Sequence, residues 1–181
     1  HKRVSFHTLG CKLNFSESST LARQFEQGGY TRVEPSEPTD VAVINSCSVT
    51  EHADKKCRNI IRKIHRRNPN AIIAVTGCYA QLKPNDIAAI DGVDIVLSNN
   101  DKGDLYKRVV ELIEKGRVQQ VFSCDVEHLT RFFAAFSTGD RSRSFLKVQE
   151  KWEGVLNPKE VAISDMLILV VWISFKDRVI R

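Results

Sequence analysis

Three times between residues 2 and 81, a short apolar stretch runs into a cysteine and then into the start of a helix. Lys2 to Thr8 leads to Gly10-Cys11. Val41 to Ile44 leads through the turn Asn45-Ser46 to Cys47. Ala71 to Thr76 leads to Gly77-Cys78. Short apolar runs bounded by turn residues read as buried strands. Helix starts follow: Asn14 with Glu17 has capping spacing, Ser48-Val-Thr-Glu51 is a capping box, and Tyr79-Ala-Gln81 opens a short helical stretch. Strands alternating with helices build a parallel sheet covered on both faces. The carboxyl ends of such strands form the edge where ligands bind. The pattern therefore predicts three cysteines gathered along one sheet edge.

The rest of the chain extends this plan. A first helix is predicted from about Phe15 to Gln27, with Ser18, Leu21, Ala22 and Phe25 on one face and Gly28-Gly29 as its stop. Two prolines make Glu34–Thr39 a loop. A second helix is predicted from about Val49 to Arg67, with Ala53, Cys57, Ile60, Ile61 and Ile64 as its apolar face. A short helix over Pro84–Ile90, a strand over Val93–Leu97 and a helix over Asp101–Lys115 follow. In that last helix Leu105, Val109, Leu112 and Ile113 face inward. Gln120–Phe122 is an edge strand. The fold class expected is α/β: a doubly wound parallel sheet of about five strands, of the flavodoxin or Rossmann kind, with helices on both faces. The domain occupies residues 1–123, a linker 124–144, and a poorly defined tail 145–181 that contains the strand Phe145–Gln149. The apolar run Met166–Phe175 is shorter than the ~20 residues of a membrane span. It reads as a buried helix or strand, or as sequence without native context, and no membrane association is expected.

The net charge of +5 is concentrated in one place. Between Glu51 and Arg67, seven cations stand against two acids, an excess equal to that of the whole chain. Lys55, Arg58, Arg62 and Arg66 line one face of the second helix at spacings of three or four, which points to a polyanionic partner. His1–Phe6 reads as a charged strand start, not a signal peptide. With His1 in place of an initiator Met, a trimmed chain or a fragment is expected. Five cysteines, an odd number, favour a reducing, cytoplasmic compartment and metal or redox work over disulfides.

Thiolates are soft ligands, suited to zinc, copper(I) and iron–sulfur clusters. No C-x-x-C knuckle is present, so placement rather than spacing carries the signal. Any one cysteine is by default a small buried hydrophobe. That reading fits Cys57, on the apolar helix face, and Cys124, near the linker. Cys11, Cys47 and Cys78 share one topological place and are the candidate ligands. Three thiolates leave one iron of a 4Fe–4S cluster open. A zinc site completed by water or by His7 or His52 is the competing arrangement.

Thr8-Leu-Gly-Cys-Lys-Leu-Asn14, Asn45-Ser-Cys-Ser-Val-Thr50 and Thr76-Gly-Cys-Tyr-Ala80 resemble, in order and flanking residues, the N-terminal cysteine motifs of the radical-S-adenosylmethionine methylthiotransferases. The likeness runs from Lys2 to Gln149, where Arg141–Gln149 resembles the lead-in to the radical domain. It implies a 4Fe–4S cluster on Cys11, Cys47 and Cys78 whose open iron handles the sulfur to be inserted. Gly-Cys-Lys-Leu-Asn resembles the branch acting on N6-threonylcarbamoyladenosine in the tRNA anticodon loop. Whole members carry a second 4Fe–4S cluster, which cleaves S-adenosylmethionine, on a Cys-x-x-x-Cys-x-x-Cys motif. Here Glu150-Lys-Trp-Glu-Gly154 follows instead, and no cysteine occurs after Cys124. A truncated or frame-shifted gene is therefore expected, inactive alone. The contrasting expectation is a non-catalytic flavodoxin-like module that binds zinc, a cluster or RNA. The absence of a Gly-rich phosphate loop argues against a nucleotide-binding version.

Overall fold

The computed structural model describes residues 2–10, 12–47 and 50–123, together with Phe133, Ala135 and three short strands at 136–137, 145–147 and 170–172. A six-stranded parallel sheet forms the centre. Its strands are β1 (Arg3–Thr8), β2 (Thr31–Val33), β3 (Val41–Ser46), β4 (Ile72–Gly77), β5 (Val93–Leu97) and β6 (Gln120–Phe122), in the spatial order β2-β1-β3-β4-β5-β6. Every adjacent pair is parallel. The strand beyond the expected five is β2. It has only three residues, Thr-Arg-Val, none fully buried, so it carries no apolar run to be read.

Helices cover both faces. They are α1 (Lys12–Gln27), α2 (Glu51–Arg67), α3 (Cys78–Leu82), α4 (Pro84–Ala88) and α5 (Leu105–Lys115), the last preceded by a 3-10 turn at Lys102–Asp104. Strand residues alternate between two cores, as the pleat requires. Val41 and Val43 join Phe6, Leu21, Phe25, Leu105 and Leu112 on the α1–α5 side. Ala42 and Ile44 join Cys57, Ile61, Ile64, Tyr79 and Ile87 on the α2–α4 side. Phe25 sits in an edge-to-face cluster with Phe6, Tyr30 and Tyr106, at centroid distances of 5.9, 5.2 and 5.2 Å.

Three sequence expectations are corrected. Helix α1 begins at Lys12, three residues early, because Asn14 is no cap: its amide reaches back to the Leu9 carbonyl. Helix α2 is capped by Thr50, whose extended backbone lets its hydroxyl accept from the Ala53 N–H. The expected cap Ser48 lies outside the described residues. Ile113 is 37% exposed, since Leu105, Val109 and Leu112 already fill the inward stripe of α5.

β7 (Phe136–Ser137), in the stretch read as a linker, β8 (Phe145–Lys147) and β9 (Val170–Trp172) form a small antiparallel sheet. β7 and β8 lie near α1. No helix among the described residues is long and apolar enough to cross a membrane.

Candidate metal centre

β1, β3 and β4 are neighbours, and their carboxyl ends carry the three cysteine segments. The register aligns Thr8 with Asn45, Asn45 with Thr76 and Ser46 with Gly77. Parallel strands lie about 4.8 Å apart. The residues that follow Thr8, Ser46 and Gly77 therefore leave the sheet side by side. β1 and β3 also flank the point where the winding of this sheet reverses, which is where such folds bind ligands.

Two glycines allow the segments to close on one another. Gly10 has φ +96°, and a Cβ there would stand 2.8 Å from Cys47 Cβ and 2.9 Å from its Sγ. The residue just before Cys11 thus presses directly on the Cys47 thiol. Gly77 has φ +99°, and its Cβ would meet the Ser46 carbonyl oxygen at 2.3 Å. A side chain at either place would be strained and would push two cysteine segments apart.

Cys47 and Cys78 are both half-buried, and Cys47 carries a free thiol. Cys11 lies outside the described residues. Among the described residues, no three His, Cys, Asp or Glu side chains are gathered as a metal site. What the described part supplies is two partly accessible soft donors on adjacent strand ends, with the backbone of the third segment packed against the first of them. That donor chemistry fits a thiolate-held metal or cluster.

Polar side chains fill the space behind. Asn45 Nδ2 donates to the Asn14 carbonyl at 2.9 Å, and Thr8 Oγ1 donates to Ser18 Oγ at 2.8 Å. Lys102 Nζ and Glu17 Oε2 form an ion pair at 2.5 Å, with both side chains 4% exposed. Glu17 was readable only as a helix-start acid, and Lys102 carried no signal at all, since the pair spans 85 residues.

The other thiols and imidazoles stand apart. Cys57 is fully buried among the α2–α4 core residues, and burial, helped by Asp54, pushes its thiol up to about 12 against a smaller opposite pull from Arg58. Cys124 lies outside the described residues. His7, half-buried on β1, has its pKa lowered to about 4 by burial first and then by Arg67 and Lys63. Those two cations make its surroundings hostile to a metal ion. His52 is exposed on α2.

The basic face of α2 divides into two. Lys55, Arg62 and Arg66 are exposed, whereas Arg58 is half-buried and donates from Nη1 to Tyr79 OH at 2.8 Å. Arg58, Arg62 and Arg66 share a groove of about 420 Å³ with Asp86 and Asp91, which partly offset their charge. On the opposite flank, a groove of about 310 Å³ is lined by His52, Lys55, Lys56 and Lys63 without an acid. Beside it, a cleft of about 470 Å³ adds Lys12 and Arg32, opposed by Glu34. In the sequence, Lys56, Lys63 and Arg67 recur at helical spacing as a second basic row beside Lys55, Arg58, Arg62 and Arg66.

Residues 3–98 match the model of the uncharacterized protein family UPF0004. The chain is 42% identical over 159 residues to the threonylcarbamoyladenosine tRNA methylthiotransferase MtaB of Bacillus subtilis, covering 81% of this chain and 33% of that protein. It is 39% identical over 150 residues to the protein of the same name from Aquifex aeolicus, covering 82% of this chain and 36% of that one. The tRNA-2-methylthio-N(6)-dimethylallyladenosine synthase of Dehalococcoides mccartyi is 42% identical over 86 residues, 46% of this chain and 20% of that protein. The chain spans about a third of the length of the two methylthiotransferases.

Proposed function

The chain belongs to the UPF0004 family, the N-terminal domain of methylthiotransferases, and from that premise we propose that it is the cluster-binding part of a tRNA methylthiotransferase acting in the cytoplasm on N6-threonylcarbamoyladenosine next to the anticodon. Cys11, Cys47 and Cys78 hold a 4Fe–4S cluster. The observation that carries this reading is the register of β1, β3 and β4, which brings all three segments off one sheet edge. When bound, the cluster supplies an open iron for the sulfur to be inserted.

The chain's own residues do the rest. α1 and α2 start directly beyond their cysteine segments, and the positive ends of their dipoles suit an anionic cluster. Partial burial of Cys47 and Cys78 keeps bulk water back. Arg62 and Arg66 on one flank of α2, and Lys55, Lys56 and Lys63 on the opposite flank, hold the phosphate backbone of the anticodon arm. The threonylcarbamoyladenosine methylthiotransferases of Bacillus subtilis and Aquifex aeolicus align with 81% and 82% of this chain, and the dimethylallyladenosine synthases of Dehalococcoides mccartyi and Dictyoglomus thermophilum with 46% and 61%. The longer alignment supports the choice of modified base.

Anaerobic reconstitution with iron and sulfide tests the proposal. Wild-type chain gains the broad visible absorbance of an iron–sulfur cluster, and Cys47→Ser does not. A chain that stays colourless and takes up one zinc ion would overturn the reading.

A further inference from the structure

We propose that Asn14 and Ser46 are ties that set the spacing of the three cysteine segments before any metal arrives, so that the thiols are preorganised. The inference rests on the three-cysteine reading above.

Backbone pairing between β1 and β3 extends to Thr8 with Asn45, and between β3 and β4 to Ser46 with Gly77. The cysteines lie just past those limits. There, side chains take over from the ladder. Asn14 Nδ2 donates to the Leu9 carbonyl at 2.6 Å and to the Ser46 carbonyl at 3.4 Å. Those carbonyls stand two residues before Cys11 and one before Cys47, so a single amide spans the first and second segments. Ser46 Oγ donates to the Thr76 carbonyl at 2.6 Å and accepts from the Ala80 N–H at 3.4 Å. It therefore grips the third segment on both sides of Cys78. Each neighbouring pair of segments is thus bridged by a side chain.

The ties are themselves held. Asn14 is 5% exposed and Ser46 is fully buried. Asn45 fixes the Asn14 backbone from β3, and the buried Glu17–Lys102 pair anchors the same turn of α1 to the segment after β5. A buried ion pair is weak as a source of stability and is suited to fixing register. Gly10 completes the arrangement, since a Cβ there would come within 3.1 Å of Asn14 Nδ2.

The test uses metal-free, reduced full chain carrying Cys57→Ala and Cys124→Ser, titrated with phenylarsine oxide. Trivalent arsenic bridges thiols that are held close together. The folded chain captures it with loss of a thiol pair. Asn14→Ala and Ser46→Ala, shown folded by circular dichroism, each weaken capture about tenfold, the size of one net hydrogen bond lost. Ser46→Thr, which keeps the hydroxyl, restores it. Unchanged capture in both folded alanine variants would overturn the proposal. Should an alanine variant not fold, the parent chain decides: capture in denaturing urea is at least about tenfold weaker than in buffer, and equal capture overturns the ties. Arsenic capture by a chain that assembles no iron and sulfide would overturn the cluster reading and leave the ties standing.

Discussion

Cys57 and Cys47 lie ten positions apart, yet their surroundings give them different uses. Cys57 is enclosed by Ile61, Ile64 and the strand residues beneath α2, and a thiol pushed up to about 12 stays protonated at neutral pH. Cys57→Ala therefore leaves the cluster absorbance intact, and its loss in that variant would place Cys57 among the ligands. His7 carries a different consequence of burial. At pH values above 6.5 its imidazole is neutral in both folded and unfolded chains and adds no pH dependence. As pH falls from 6.5 toward about 4, the unfolded chain binds a proton that the folded chain refuses, and stability falls. The slope from this one group is at most about 1.4 kcal/mol per pH unit. His7→Gln should thus narrow the gap between urea-unfolding stabilities at pH 7 and pH 5, and an unchanged gap would contradict the assignment. The burial of Cys57 is legible in the sequence, because helical spacing places it with Ile61 and Ile64. The state of His7 is not: Lys63 and Arg67 face it from another element, and no local spacing reports that.

Helix α2 is the element on which the nucleic-acid reading depends. Seventeen residues at 1.5 Å each make a rod of about 25 Å, long enough to follow several phosphates. Triple reversal of Lys55, Arg62 and Arg66 to Glu should abolish a tRNA mobility shift at low salt, with the wild-type affinity falling steeply as salt rises. Arg58 is left out of that variant because its bond to Tyr79 OH makes it part of the packing. A shift that survives triple reversal would mean that the face is merely solvated. The extent of α2 is legible from its apolar stripe and from Asn68-Pro69 beyond it. The division of its charge is not, since Asp86 comes from α4 and Asp91 from the turn between α4 and β5. The β4–β5 pairing hides a similar case. The register shifts between Ile73 and Ala74, where Asp94 turns its carboxylate to the Ile73 N–H at 2.9 Å and holds Arg117 at 2.5 Å. In the sequence, Asp94 only interrupts an apolar strand.

For the molecule as a whole, alternation of strand and helix is enough to specify a doubly wound sheet, and the sheet order puts two of the cysteine segments at its reversal point and the third on the neighbouring strand. Strand ends are legible because apolar runs stop at Asn, Ser and Gly. The ties among them are not, because Asn14, Ser46 and Lys102 act on partners up to 85 residues away. On the proposed reading, these 181 residues alone insert no methylthio group. Opening an aromatic C–H bond calls for a radical, and a cofactor, not a side chain, supplies such chemistry. A second cluster would need further thiolates close together, and beyond the candidate triplet there are only Cys57, buried, and Cys124. Incubated anaerobically with dithionite and S-adenosylmethionine, the reconstituted chain should yield no 5′-deoxyadenosine, and its formation in stoichiometric amounts would assign this cluster a different role. The central claim is that one cluster is held by one thiol from each of three neighbouring strand ends. Alkylation footprinting by mass spectrometry, with iron and sulfide counted on the same reconstituted sample, tests it most directly. The account predicts about four irons and four sulfides per chain, with Cys11, Cys47 and Cys78 protected together and Cys124 alkylated. Protection of only two of the three, or bound zinc in place of iron and sulfide, would contradict it.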